Sequence, residues 1–183
     1  MNIHQLSVSH DERQDRLLLR LNTQDGQEFR FWLTRRMTSR LLPAMDQSVA
    51  RLEATQPGIA ATDAASQHML NEFKRDAFLK TADFSTPYAA APRLLPLGDE
   101  PILVTDAQLS LQPHGALQLI FQKKTGETSQ SCHLNLQASL VHGMIHLIRQ
   151  SIAKADWGLL PQDSAIASDT HHSVAVDTPA YKH

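Results

Sequence analysis

The sequence predicts an α+β fold built by internal duplication of a strand–strand–strand–helix unit, with antiparallel sheets and helices packed on the sheet face. Three observations carry this. Gln5-Leu6-Ser7-Val8 recurs as Gln108-Leu109-Ser110-Leu111, and Gln47-Ser48-Val49-Ala50-Arg51 recurs as Gln150-Ser151-Ile152-Ala153-Lys154, both at an offset of 103 residues. Between these anchors the apolar positions keep step: Phe29, Phe31 and Leu33 match Cys132, Leu134 and Leu136. Met37, Leu41, Met45 and Val49 match Leu140, Met144, Ile148 and Ile152. Self-similarity at a fixed spacing is the signature of a repeated structural unit.

Each copy divides in the same way. Three segments alternate apolar and polar residues with period two, which suits half-buried strands. The middle strand, Leu17/Leu19/Leu21, matches Leu117/Leu119/Phe121 at an offset of 100, so the first loop is read as three residues shorter and the second as three longer in copy two. A fourth segment repeats apolar residues at helical spacing. In copy one this helix is expected from Arg35 to Ala54, stopped by Pro57-Gly58, with Pro43 kinking it or moving its start. In copy two it is expected from Gln137 to Asp156.

Copy one thus occupies residues 1–55 and copy two residues 102–157 of a single domain, 1–157. The stretch 56–101 between them holds an extra helix, from Asp63 to Ala82. Thr62 is its expected N-cap, and Met69, Leu70, Phe73 and Ala77 lie on one side. An irregular, proline-containing connector follows. From 158 to 183 small and polar residues dominate and periodicity vanishes, which predicts a disordered C-terminal tail.

The hairpin through Asp25-Gly26 is the most informative local detail. A two-residue turn would set Leu21 opposite Arg30 and mix core with surface. A three-residue loop, Gln24-Asp25-Gly26, with glycine in the left-handed bulge position, sets Leu21 against Phe29, Leu19 against Phe31 and Leu17 against Leu33. The opposite face then carries Arg20 against Arg30 and Leu18 against Trp32. Arg16 extends it, and Arg35, Arg36 and Arg40 follow at the strand–helix junction. The matching face of copy two holds Gln118, Ile120, Gln122, His133 and Asn135, and is neutral.

Bulk composition narrows the function classes. Apolar residues make up 42% and charged residues 20% of the chain, and net charge is −2, so no global basic field draws in nucleic acid or an anionic surface. Cys132 is the only cysteine, which excludes an intramolecular disulfide and reads as a buried thiol. Met1-Asn2-Ile3-His4-Gln5 lacks the features of a signal peptide, and no stretch suits a membrane span, so the expected address is cytoplasmic without membrane contact. His142 and His146 stand one helical turn apart, a weak metal candidate, because Gly143 replaces the glutamate of a metalloprotease helix and no third ligand is evident. Neither a phosphate loop nor a nucleophile elbow is present, and no cofactor is expected.

Several stretches together resemble a family of uncharacterised proteobacterial proteins: Asp15-Arg16-Leu17-Leu18-Leu19-Arg20, Trp32-Leu33-Thr34-Arg35-Arg36, Ala82-Asp83-Phe84-Ser85-Thr86-Pro87-Tyr88, Pro96-Leu97-Gly98-Asp99-Glu100-Pro101 and Lys154-Ala155-Asp156-Trp157. The resemblance covers about residues 1–157 and implies a bacterial cytoplasmic setting. That family carries no assigned activity, so it transfers no functional residue.

Three function classes follow from these readings. The first is a non-enzymatic interaction or assembly protein that self-associates or binds another protein through Arg16, Leu18, Arg20, Arg30, Trp32, Arg35 and Arg36, with Trp157 as a further contact. The second uses the same arginine–tryptophan face on single-stranded nucleic acid or another polyanion. The bland reading of that face is that the connector, the middle helix or another subunit simply covers it. The third is an enzyme whose site is assembled from residues distant in sequence, which a pocket of convergent titratable groups would mark.

Overall fold

A computed structural model describes residues 2–54, 63–83, 86–88, 94–126 and 128–158 of the chain. It is α+β, with two antiparallel-rich sheets and three helices. Three antiparallel strands, β1 (Ile3–Asp11), β2 (Arg16–Thr23) and β3 (Glu28–Thr34), lead into α1 (Arg35–Ala54). After α2 (Ala64–Thr81) and the short β4 (Ile102–Leu103), the same succession returns as β5 (Asp106–Gln112), β6 (Ala116–Thr125), β7 (Thr128–Leu136) and α3 (Ala138–Ala155). The first sheet has the order β1-β2-β3-β4, with β4 parallel to β3; the second has the order β5-β6-β7. Expectations about the tail beyond Gly158 and about the Pro57-Gly58 stop lie outside the described residues.

The first hairpin adopts the expected register, with Leu21 opposite Phe29, Leu19 opposite Phe31 and Leu17 opposite Leu33. Gly26 has φ +75°, the left-handed conformation the bulged loop requires. In the second hairpin the three extra residues enter the arms rather than the loop. Its strands pair as far as Thr125 and Thr128, and Gly126, at φ +59°, sits in the tight turn.

The first strands depart from the expected alignment. Val8 lies opposite Leu19, whereas Leu109, not Leu111, lies opposite Leu119. The Gln-Leu-Ser anchor is therefore displaced by two residues between the units, and the first turn of unit two is shorter by one residue, not three. A slip of two keeps every side chain on its own face, so in–out patterning cannot detect it.

The two sheets turn their apolar faces toward each other. Leu17, Leu19, Leu33, Leu117, Leu119, Leu134 and Leu136 are fully buried, and the rings of Phe31 and Phe121 meet at 4.9 Å between centroids. The helices cross over: α3 packs chiefly against β1 of the first unit, and α1 lies beside β5 of the second. Met45, Val49 and Leu52 on α1 and Met144, Ile148 and Ile152 on α3 complete one core. Each unit thus fills the other's core, and burial of this apolar surface is the main stabilising contribution.

Helix ends follow local chemistry, with corrections to the sequence reading. α1 starts at Arg35 despite Pro43, which is exposed, so the carbonyl it leaves without a partner faces water. The Thr34 hydroxyl accepts from the Met37 N–H at the start of that helix. Asp63, not Thr62, caps α2: its side chain accepts the Ser66 N–H at 2.8 Å. Of the expected apolar side of α2, Leu70 is half-buried, while Met69, Phe73 and Ala77 are exposed; Phe78 and Leu79 turn inward instead. No described helix is long and apolar enough to cross a membrane.

Candidate interaction surface

The outer face of the first sheet brings together five of the seven residues singled out from sequence. Arg20 stands opposite Arg30, Leu18 opposite Trp32, and Arg16 opposite Thr34. β4 sets Leu103 beside Trp32, so Leu18, Trp32 and Leu103 form a half-buried apolar row. The opposed arginines are tolerated because each has other partners. Arg20 donates from Nε to the Ser7 hydroxyl at 3.2 Å and lies 4.5 Å from the centroid of the Tyr88 ring. Arg30 donates to the Asp99 carbonyl at 2.7 Å and has the Glu28 carboxylate 3.8 Å away. Tyr88 and Asp99 belong to the connector, so the chain itself uses much of this face.

The remaining two residues go elsewhere. Arg36 is exposed on the first turn of α1. Arg35 donates to the carbonyl of Trp157, just past the end of α3. Trp157 is 2% exposed, which corrects the expectation that it contacts a partner. Its indole N–H donates to Asp15 Oδ1 at 2.6 Å, and the His10 ring meets it edge-on at 5.7 Å. That hydrogen bond holds the Asp15 carboxyl below the usual carboxylate range. The end of unit two is thereby fastened to the first turn of unit one.

Where α1, α2 and α3 converge, titratable groups line a cleft of about 300 Å³, and of these only His142 was singled out from sequence. Glu53 and His142 are both buried, with Oε1 and Nε2 2.9 Å apart, and among the described residues Glu53 Oε2 has no hydrogen-bond partner. Asp46 and Arg149 pair at 2.9 Å, and Arg75 and Glu72 complete the lining. Burial pushes the Asp46 carboxyl above its usual range even though Arg149 pulls it down. His142 pairs with Glu53 and His146 contacts Gln150 at 3.1 Å, and no cluster of three or more metal-ligating side chains occurs among the described residues. A buried carboxylate–imidazole pair can hold or pass a proton, and this one opens on a cleft. The 89 residues separating its members hid it from any motif.

A second feature was half visible. Met69 and Phe73, one turn apart on α2, are each 70% exposed. Their helix is held to the body from its other side, where Phe78 lies over α3 at Gly143 and His142. Beside the end of α2, a cleft of about 400 Å³ is lined by Ile3, Leu6, Phe78, Leu140 and Leu147, with Tyr88 at its margin. The sequence reading placed Met69 and Phe73 on one side of the helix, but not that side toward solvent.

The chain matches no known family model, no curated protein and no solved structure.

Proposed function

We propose that this chain arose by duplication of a βββα unit and serves as a non-enzymatic interaction and assembly protein in the bacterial cytoplasm. The observation that carries the reading is the exposure of Met69 and Phe73 on successive turns of an anchored helix. Large apolar side chains grouped on a solvent-facing helix suit a partner groove better than water. Photo-crosslinking tests it: benzoylphenylalanine at position 73 in the producing cells gives a discrete protein adduct, and the same probe at exposed His114 gives none. Equal, diffuse labelling from both positions removes the reading.

The polyanion alternative has weaker support, because Arg20 and Arg30 are engaged by Tyr88, Ser7, Asp99 and Glu28. It requires salt-sensitive retention of single-stranded DNA or RNA that disappears in Arg20→Ala/Arg30→Ala. The enzyme reading draws on the buried Glu53–His142 pair beside its cleft. Its test is a thermal-shift screen of small metabolites; a shift abolished by Glu53→Gln supports it, and a flat screen counts against it.

A further inference from the structure

Four edge strands, β1, β4, β5 and β7, bound the two sheets; β4 has only two residues, and among the described residues helices lie against β1 and β5. The carbonyl of Val8 on β1 accepts the Ser151 hydroxyl of α3 at 3.1 Å, and α3 runs along that strand. β5 has α1 beside it. The outer side of β3 is bonded twice over: Glu28 and Gly26 exchange hydrogen bonds with Leu94, and the Val104 N–H reaches the Trp32 carbonyl next to β4. β7 differs. It pairs with β6 along its whole length and, among the described residues, its other side meets no strand.

An open strand edge is a row of unpaired N–H and C=O groups, and stable monomers blunt such edges with lysine, proline, a bulge or a short strand. β7 has none of these. Its nine residues, Thr-Ser-Gln-Ser-Cys-His-Leu-Asn-Leu, contain no proline and no lysine, and its register against β6 is unbroken. By contrast, β1 carries an irregularity between Ile3 and Gln5.

We infer that β7 is the assembly edge of this protein and that its occupant is β7 of a second copy, joined antiparallel about a twofold axis. This rests on the assembly reading above and names its partner. Three observations favour a second copy. The corresponding edge of the first unit is already completed by strand addition, so this sheet architecture accepts a further strand there. The strand carries no acidic or basic side chain apart from His133, so two copies side by side bring no carboxylates or ammonium groups together. Opposed residues in an antiparallel pair share a face, so an axis through the middle of β7 sets Cys132, Leu134 and Leu136 among core-side residues and Ser129, Ser131, His133 and Asn135 among outward ones. The two three-stranded sheets then become one continuous six-stranded sheet, with main-chain hydrogen bonds replacing water at the junction.

Ser131 and His133 are exposed in the single chain, so lysines there leave the core untouched. For an axis at Ser131, Cys132 or His133, Ser131→Lys/His133→Lys opposes ammonium to ammonium across the junction. The experiment is light scattering on the full chain over a concentration series, with circular dichroism confirming the fold of each variant. The parent is expected to reach the mass of two chains, and the lysine variant to dissociate at concentrations about tenfold or more higher. Ser131→Glu/His133→Glu behaves like the lysine variant, and mixing the two restores the two-chain species. A parent that stays monomeric throughout the series, or a lysine variant that dimerises like the parent, overturns the inference. The Phe73 crosslink reads the broader function independently: a discrete adduct from a parent that stays monomeric means the edge inference alone has failed.

Discussion

Asp46 of α1 and Arg149 of α3 face each other at 2.9 Å, 103 residues apart in the chain, the offset at which the sequence motifs recur. The pair stands where α1 meets α3. Identical charges there would repel; an acid in one unit and a base in the other removes the conflict. Both side chains are about a third exposed, 39% and 31%, so solvent limits the value of the bond. Reversing one charge, Asp46→Lys, is expected to lower stability by about 1 kcal/mol, and adding Arg149→Glu to recover most of it. Urea denaturation of the four proteins measures the coupling.

The pH dependence of Asp46 follows from burial outweighing Arg149. Its carboxyl lies above the ordinary 3.8 in the folded chain, so the fold binds that proton more tightly than the unfolded chain does. The stability contributed by this group therefore grows as pH falls through the raised value, and ionisation near neutrality works against the fold. Asp46→Asn should cost little at pH 7 and flatten the mildly acidic part of the stability–pH curve. A loss at pH 7 as large as that of Arg149→Ala contradicts the assignment.

Asp15 behaves in the opposite sense. The indole N–H of Trp157 holds its carboxyl below 3.8, so its contribution is complete above the unfolded value and is lost only as pH falls through the lowered one. In a Trp32→Phe background, Trp157 emission should stay constant from neutrality down to about the ordinary carboxylate range and shift only at stronger acidity. Asp15→Asn keeps an acceptor without a titrating proton, and the acid shift attributable to this contact should vanish. Trp157→Ala, which empties a buried site, should cost about 3–5 kcal/mol in urea denaturation.

How much of this was legible depended on whether a choice changed the face on which a side chain lies. The Gly26 hairpin was legible because the alternative two-residue turn puts arginines among leucines. The displacement of Leu109 relative to Val8 was not, because a slip of two residues leaves apolar residues inward in both alignments. α2 offered two apolar stripes, one through Met69 and Phe73 and one through Phe78 and Leu79, and only packing against α3 chose between them. Trp157 lies past the last helical turn, outside any periodicity, so its burial against His10 and Asp15 had no sequence signal. The cleft residues were partly visible in principle: Asp46 and Arg149 share the repeat offset with opposite charges, whereas nothing links Glu53 to His142.

One substitution and one thiol-labelling experiment test the packing further. Gly143 is buried within α3, and a Cβ there would lie 3.6 Å from the Phe78 ring, an ordinary contact. Gly143→Ala should therefore stabilise the protein by about 0.5–1 kcal/mol through helix propensity, measured by thermal denaturation. Cys132 is buried and its thiol is pushed up to about 11, so alkylation at pH 8 should be slow in the native chain and rapid once urea unfolds it.

The Glu53–His142 contact makes the sharpest energetic prediction. The two side chains are 5% and 7% exposed, so each is held away from water that would otherwise solvate it. Removing one partner strands the other, and Glu53→Ala or His142→Ala should each cost about 3–5 kcal/mol if the pair is ionised, less if it is a neutral hydrogen bond. Replacing both with apolar residues of similar volume, Glu53→Met/His142→Leu, removes the desolvation cost along with the attraction and should recover most of the loss. Recovery in the double variant means that the fold does not need the pair, which would leave its retention to be explained by the cleft beside it. A double variant as unstable as either single, rather than their sum, shows instead that the contact itself fastens α1 to α3, and the enzyme reading loses its main support.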